Sequence, residues 1–163
     1  MVVCCPAARA ADDTPLKKVV KAKVEEINNA LIKEDFAKIV DLTYPKVTEL
    51  IGGREKMISV LKSGVQGMRA NKFEFRSAKV KEPSDPVEAG SDLYIVVPFL
   101  LEMKAPGGKL LQDTFVIGVS SDRGKTWTFV NGDLEIKIVK QVLPNLPEQL
   151  KLPKKQKPVF EKE

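Results

Sequence analysis

Histidine is absent from this chain of 163 residues, and its two cysteines, Cys4 and Cys5, are adjacent near the start. If the mature chain begins at Ala11, it contains neither thiol nor imidazole. That excludes disulfides, thiol nucleophiles, histidine bases and most transition-metal sites. A hard cation could still bind carboxylates and water, but the sequence contains no suitably spaced acidic loop. We therefore expect no metal and no cofactor.

Long apolar runs and aromatic residues are also scarce. No apolar run approaches the ~20 residues that span a bilayer, so we expect no membrane span. Aromatic residues make up 6% of the chain, and none lies inside a basic run. The net charge is +5, but lysine and glutamate are mixed, as in Lys21–Glu26. A nucleic-acid binder clusters its cations between stacking aromatics, so we expect a solvated surface and no nucleic-acid partner.

Residues 1–10 resemble the end of a secretory signal peptide. Ala8 and Ala10 are small residues at the two positions that a signal peptidase reads. The charged region that normally begins such a signal is missing, and the apolar region is short. The pattern predicts a secreted or periplasmic protein whose true start lies upstream of Met1. The alternative is an ordinary N-terminal tail.

The spacing of apolar residues changes at Asn71, from every third or fourth position before it to every second position after it. Three helices are predicted in the first part. One begins at Thr14-Pro15, a short one begins at Asp35, and the third begins near Arg54. Methionines 57 and 68 lie on the inward stripe of the third helix, where such residues usually belong to the core.

Strands are predicted from Lys72 onward. The chief ones are Leu93 to Met103 and Leu110 to Ser121, joined by a hairpin turn at Pro106-Gly107-Gly108. Residues 133–143 fit a strand or a helix, and we expect a helix. The order of elements predicts an α+β fold with N-terminal helices packed on an antiparallel sheet.

These patterns predict a single domain over residues 11–143 and a tail over residues 144–163. The tail is rich in proline and lysine, so we expect it to be extended. It could bind a partner or lie along the surface.

Residues 120–127 match the Asp-box pattern S-x-D-x-G-x-T-W at every fixed position. Asp122 can accept hydrogen bonds from turn amides, Gly124 suits a positive φ, and Trp127 can fold under the hairpin as an apolar plug. The motif recurs in the repeated blades of sialidase-type propellers, but this chain has one copy and no repeat. It therefore predicts a β-hairpin and not a glycosidase.

Two segments, Ala30–Val47 and Ile51–Glu55, resemble the front of nuclear-transport-factor-2-like (SnoaL-like) domains. The shared series is an Ala-Leu at the end of the first helix, an Asp that starts a second, a Pro-x-Val segment and a Gly-Arg-Glu that opens the third. The resemblance implies a cone, in which a strongly curved sheet and the helices enclose an apolar pocket, and frequent homodimers formed through the sheet. Relatives include isomerases, dehydratases, hydrolases, cyclases and noncatalytic binders, and the fold does not choose among them.

The resemblance does not carry over the catalytic residues of ketosteroid isomerases. Their oxyanion tyrosine aligns with Ile27, and their general base aligns near Ile51, with Glu49 two positions away. Isoleucine can neither donate a hydrogen bond to an enolate nor accept a proton. The histidine of several cyclases and dehydratases has no counterpart in this chain.

Asp113 is the candidate catalytic residue, because it shares strand parity with the apolar residues Leu111, Phe115 and Ile117. A pocket would raise its pKa and suit it to acid–base work; the alternative is a solvated position near the start of its strand. The candidate pocket residues are Tyr44, Tyr94, Arg76, Phe115 and Trp127. Arg76 could instead pair with Glu102 across the sheet.

The expected function is an exported module that binds a hydrophobic small molecule or a partner and is not an enzyme. The alternative is a cofactor-free lyase, isomerase or hydrolase that uses Asp113 with Tyr44 or Tyr94.

Overall fold

The structure, a computed structural model, describes residues 14–163. The predicted signal segment, residues 1–10, lies outside them. The elements in chain order are α1 (Thr14–Ile32), α2 (Phe36–Leu42), α3 (Pro45–Ile51), α4 (Arg54–Ala70), β1 (Glu74–Val80), β2 (Val87–Ala89), β3 (Asp92–Ala105), β4 (Gly108–Ser120), β5 (Thr128–Asn131), α5 (Ile136–Val142) and β6 (Val159–Lys162). Helices precede strands, with the change after Asn71, and the predicted α+β class is confirmed.

The helical half follows its sequence signals closely. α1 begins at Thr14, and the side chains of Val20 and Val24 are fully buried on its inward stripe. Asp35 is the N-cap of α2, and its Oδ1 accepts a hydrogen bond of 3.1 Å from the backbone N–H of Lys38.

The short helix α3 is not among the three helices predicted for this half. Pro45 is its first residue, where a missing N–H leaves no bond unmade. Gly52 ends it in the left-handed region at φ 107°, which glycine adopts without strain. From the sequence, Pro45 and Gly52 are expected only to interrupt helices. In the structure they lie at the two ends of a seven-residue helix.

The six described strands form one open antiparallel sheet in the order β1-β3-β4-β5, with β2 also paired to β3 and β6 to β4. The predicted hairpin at Pro106-Gly107 is confirmed, because Ala105 pairs with Gly108 and Gly107 has a φ of 76°. Arg76 lies at a bulge in β1, where the pairing with β3 shifts by one residue.

Both faces of the sheet are buried along the middle of β3 and the second half of β4. Val97 of β3 packs in one hydrophobic cluster with Val24 of α1, which we call the α1 cluster. Val96, its neighbour on the opposite face, packs in a second cluster with Ile117 of β4 and Val139 of α5, which we call the α5 cluster. Because alternate residues face opposite sides, burial on both sides explains why residues 93–101 of β3 form an uninterrupted apolar run.

The C-terminal part of the chain returns to the sheet. α5 settles the ambiguity of residues 133–143 in favour of a helix, although Glu135 and not Asp133 occupies its N-cap position. Leu150 is 5% exposed and packs in the α5 cluster. β6, which was not predicted, pairs with the first residues of β4. Among the described helices, none has the length and apolar character needed to cross a membrane.

Candidate functional site

A cavity of about 600 Å³ lies between the helices and the sheet. Every helix from α1 to α4 contributes side chains to it, as do β1, β3, β4 and β5. Most of its lining side chains are aliphatic, aromatic or methionine. The lining residues are Ile27, Asn28, Leu31, Ile39, Thr43, Val47, Ile51, Met57, Leu61, Met68, Phe75, Phe99, Leu101, Met103, Gln112, Thr114, Val116, Phe129, Asn131, Asp133 and Leu134.

One polar residue buried within this lining is Asn28. It follows Val20 and Val24 at intervals of four residues, so it continues the inward stripe of α1, and it is 4% exposed. Its side-chain Nδ2 has no hydrogen-bond partner among the described residues. A buried donor left unsatisfied costs about 1–3 kcal/mol, so a group of this kind needs an explanation.

A second set of polar groups lies at the solvent-exposed edge of the cavity, around Asp133. Thr114 donates from Oγ1 to Oδ2 of Asp133 at 2.8 Å, and the backbone N–H of Asp133 donates to Oδ1 of Asn131 at 2.8 Å. Lys155 of the tail donates from Nζ to the carbonyl oxygens of Asp133 and Leu134, at 2.7 and 2.8 Å. The tail therefore helps to hold the loop that forms this edge.

Asp113 lies on the other face of β4, since the cavity is lined by its even-numbered neighbours Gln112 and Thr114. The Asp113 side chain is 41% exposed and forms an ion pair with Lys81. It lines an adjoining surface cleft together with tail residues 153–156, and Thr114 and Asp133 line both this cleft and the cavity.

Tyr44 and Tyr94 pack in the α5 cluster, on the opposite face of the sheet from Val97 and Val24. Tyr94 is 2% exposed. Burial raises the pKa of both phenols, and the nearby Asp92 carboxylate raises it further. Both hydroxyls therefore stay neutral at physiological pH.

The other predicted pocket residues have structural partners. Arg76 pairs with Glu163 at 3.6 Å, and not with Glu102. Phe115 is 4% exposed and covers Gly132 so closely that a Cβ there would lie 2.4 Å from its ring. Trp127 is 4% exposed and packs in the α1 cluster.

The Asp-box forms the turn between β4 and β5, as predicted. Asp122 accepts through Oδ1 from the Thr126 backbone N–H and the Ser120 hydroxyl, both at 2.8 Å, and through Oδ2 from the Thr126 hydroxyl at 2.7 Å. These bonds, first among them the one from the Thr126 hydroxyl, lower the pKa of Asp122 to about 2. Gly124 has a φ of 88°, and the Trp127 indole N–H donates to its carbonyl oxygen at 3.1 Å. Turn geometry explains each fixed residue of the motif.

The structure therefore does not bring the six predicted site residues together in the cavity. None of them is among the described residues that line it. Sequence reasoning missed Asn28, although a signal was present. A polar side chain at an interval of four residues from Val24, on an otherwise apolar stripe, is the pattern of a buried polar group.

Within residues 14–163 the structure contains no group of three or more acidic or cysteine side chains placed to hold a metal ion. Comparison of the chain with protein-family models and with curated proteins found no match.

Proposed function

We propose that the chain is a binding module whose site for a hydrophobic small molecule is the cavity between the helices and the sheet. The observation that carries the proposal is the lining of the cavity, in which most side chains are aliphatic, aromatic or methionine. The volume of about 600 Å³ falls within the ~300–1,000 Å³ typical of small-molecule sites.

The family resemblance is consistent with this proposal. Helices that precede an antiparallel sheet, and a cavity between the two, are the arrangement that a nuclear-transport-factor-2-like cone with an apolar pocket requires. Membership of that family, export to the periplasm or beyond, and a homodimer formed through the sheet are parts of the same proposal. Native mass spectrometry of the protein purified from its host gives the mature N-terminus, the oligomeric state and the mass of any bound molecule together.

The alternative of an enzyme that uses Asp113 has no comparable support. Asp113 is paired with Lys81 and lies on the far side of β4 from the cavity. On the binding proposal, Asp113→Asn leaves ligand affinity unchanged.

The direct test is titration with Nile red, an uncharged dye whose fluorescence rises in apolar surroundings. The wild-type chain should bind it, and Leu61→Trp, which fills the cavity from α4, should abolish binding while the protein stays folded. Val60→Trp is the matched control, because Val60 is the adjacent residue on the same helix and is 48% exposed. Equal binding by the two variants would place the dye elsewhere and contradict the proposal.

A further inference from the structure

A groove of about 220 Å³ adjoins the cavity where the end of α1, the end of α4 and the start of β1 come together. Three residues, Leu31, Met68 and Phe75, line both the groove and the cavity. Each of them is half-buried. Because the same side chains border the two spaces, the wall between the spaces is one side chain thick at this place.

The groove has an apolar part and a charged part. Ile32, Val65 and Phe73 add aliphatic and aromatic surface to the three shared residues. Arg69 of α4 forms an ion pair with Glu34, which follows α1, and both residues line the groove. The Arg69 and Glu34 side chains are 56% and 35% exposed, so water screens their charges and the groove discriminates only weakly by charge.

Met68 is the part of the shared wall that can move most easily. Its backbone is held in place, because its carbonyl oxygen accepts hydrogen bonds from the N–H groups of Asn71 at 3.0 Å and Phe73 at 2.9 Å. Its side chain is unbranched and has three rotatable bonds, which lets methionine adapt to irregular spaces. Rotation of this side chain requires no movement of α4 and would join the cavity to the groove.

We infer that the site takes an elongated, single-chain apolar molecule, which extends from the cavity past Met68 into the groove. This inference rests on the proposed binding function and adds the shape of the ligand and the residue that controls its passage. A short chain occupies the cavity alone. A longer chain also buries methylene groups against the apolar part of the groove, and each buried methylene increases affinity about fourfold.

The test measures how affinity depends on chain length, with 1-alkanols of eight to sixteen carbons that displace Nile red from the full chain. Val65→Trp fills the groove, and Val65 is outside the described lining of the cavity. This variant should bind the shorter alkanols as the wild type does and bind the longest at least about tenfold more weakly. Gln66→Trp is the matched control, because Gln66 is the next residue on α4 and is exposed.

A second pair of variants tests the role of Met68. Met68→Ile keeps an apolar side chain and leaves the groove open, but branching at Cβ restricts χ1 in a helix. It should lower the affinity for the longest alkanols several-fold and leave that for the shortest unchanged. Met57→Ile is its control, because Met57 lies on the same helix and lines the cavity but is outside the described lining of the groove.

The outcomes separate the inference from the proposal beneath it. If the wild type binds neither Nile red nor any alkanol, the proposed function fails. If alkanols bind but Val65→Trp and Gln66→Trp give the same dependence on chain length, the cavity is a binding site and the groove is not part of it. If Met68→Ile and Met57→Ile give the same dependence, the role of Met68 is overturned. This second comparison decides alone if Val65→Trp does not fold.

Discussion

Thr114 and Asp133 join β4 to the loop after β5 through a hydrogen bond of 2.8 Å from the threonine hydroxyl to the carboxylate. Thr114 is 7% exposed and Asp133 is exposed, so the bond connects the wall of the cavity to its edge. In the same loop, the carbonyl oxygen of Asp133 accepts a hydrogen bond from Nζ of Lys155. The position of the cavity edge therefore depends on contacts between residues far apart in sequence.

Replacing Thr114 by valine, which has nearly the same shape, should destabilise the protein by about 1–2 kcal/mol, because the hydroxyl donor is lost. Urea unfolding monitored by Trp127 fluorescence measures the change. Asp133→Asn is the matched variant: its amide oxygen can still accept from Thr114, so its loss should be smaller. Equal losses in the two variants would show that the charge, and not the hydrogen bond, matters.

Replacing Asn28 by leucine should stabilise the ligand-free protein by about 1–3 kcal/mol. The substitution removes a buried donor that has no protein partner and extends the apolar stripe of α1. Thermal unfolding without added ligand measures it, and Asn29→Leu, at the exposed neighbour, should change stability by less than about half as much. A lower melting temperature for Asn28→Leu would mean that the amide is satisfied in solution and is structural.

The sequence allowed prediction of those features that depend on local spacing. The change of period at Asn71 located the boundary between helices and strands, and the Asp-box predicted the turn around Asp122, because turn chemistry is local. β6 escaped prediction because its four residues are all exposed and pair with residues of β4 about fifty positions earlier. The lining of the cavity escaped too, because the face of β4 that contributes to it is the one with Gln112 and Thr114, which alternation marks as polar.

Asp122 should make the protein sensitive to acid. Its pKa is about 2 in the folded chain, against an ordinary value of 3.8, so the carboxylate binds protons less readily when folded. Its contribution to stability is therefore complete above pH ~4 and is lost as the pH falls toward ~2. The melting temperature of Asp122→Asn should lie below that of the wild type at neutral pH, and the two should converge below pH ~2. A gap that stays constant across this range would contradict the assignment.

Leu150 should anchor the tail to the domain. It is 5% exposed and packs in the cluster that contains Phe115 and Val139, so Leu150→Ala should cost about 2–5 kcal/mol. Phe160, in β6, is 51% exposed, and Phe160→Ala should cost much less, even though it removes the larger side chain. Urea unfolding of the two variants measures the contrast. If both variants changed the free energy of unfolding by the same small amount, residues 144–163 would not contribute to the stability of the domain. The hydrogen bonds from Lys155 to the edge of the cavity would then not stabilise it either.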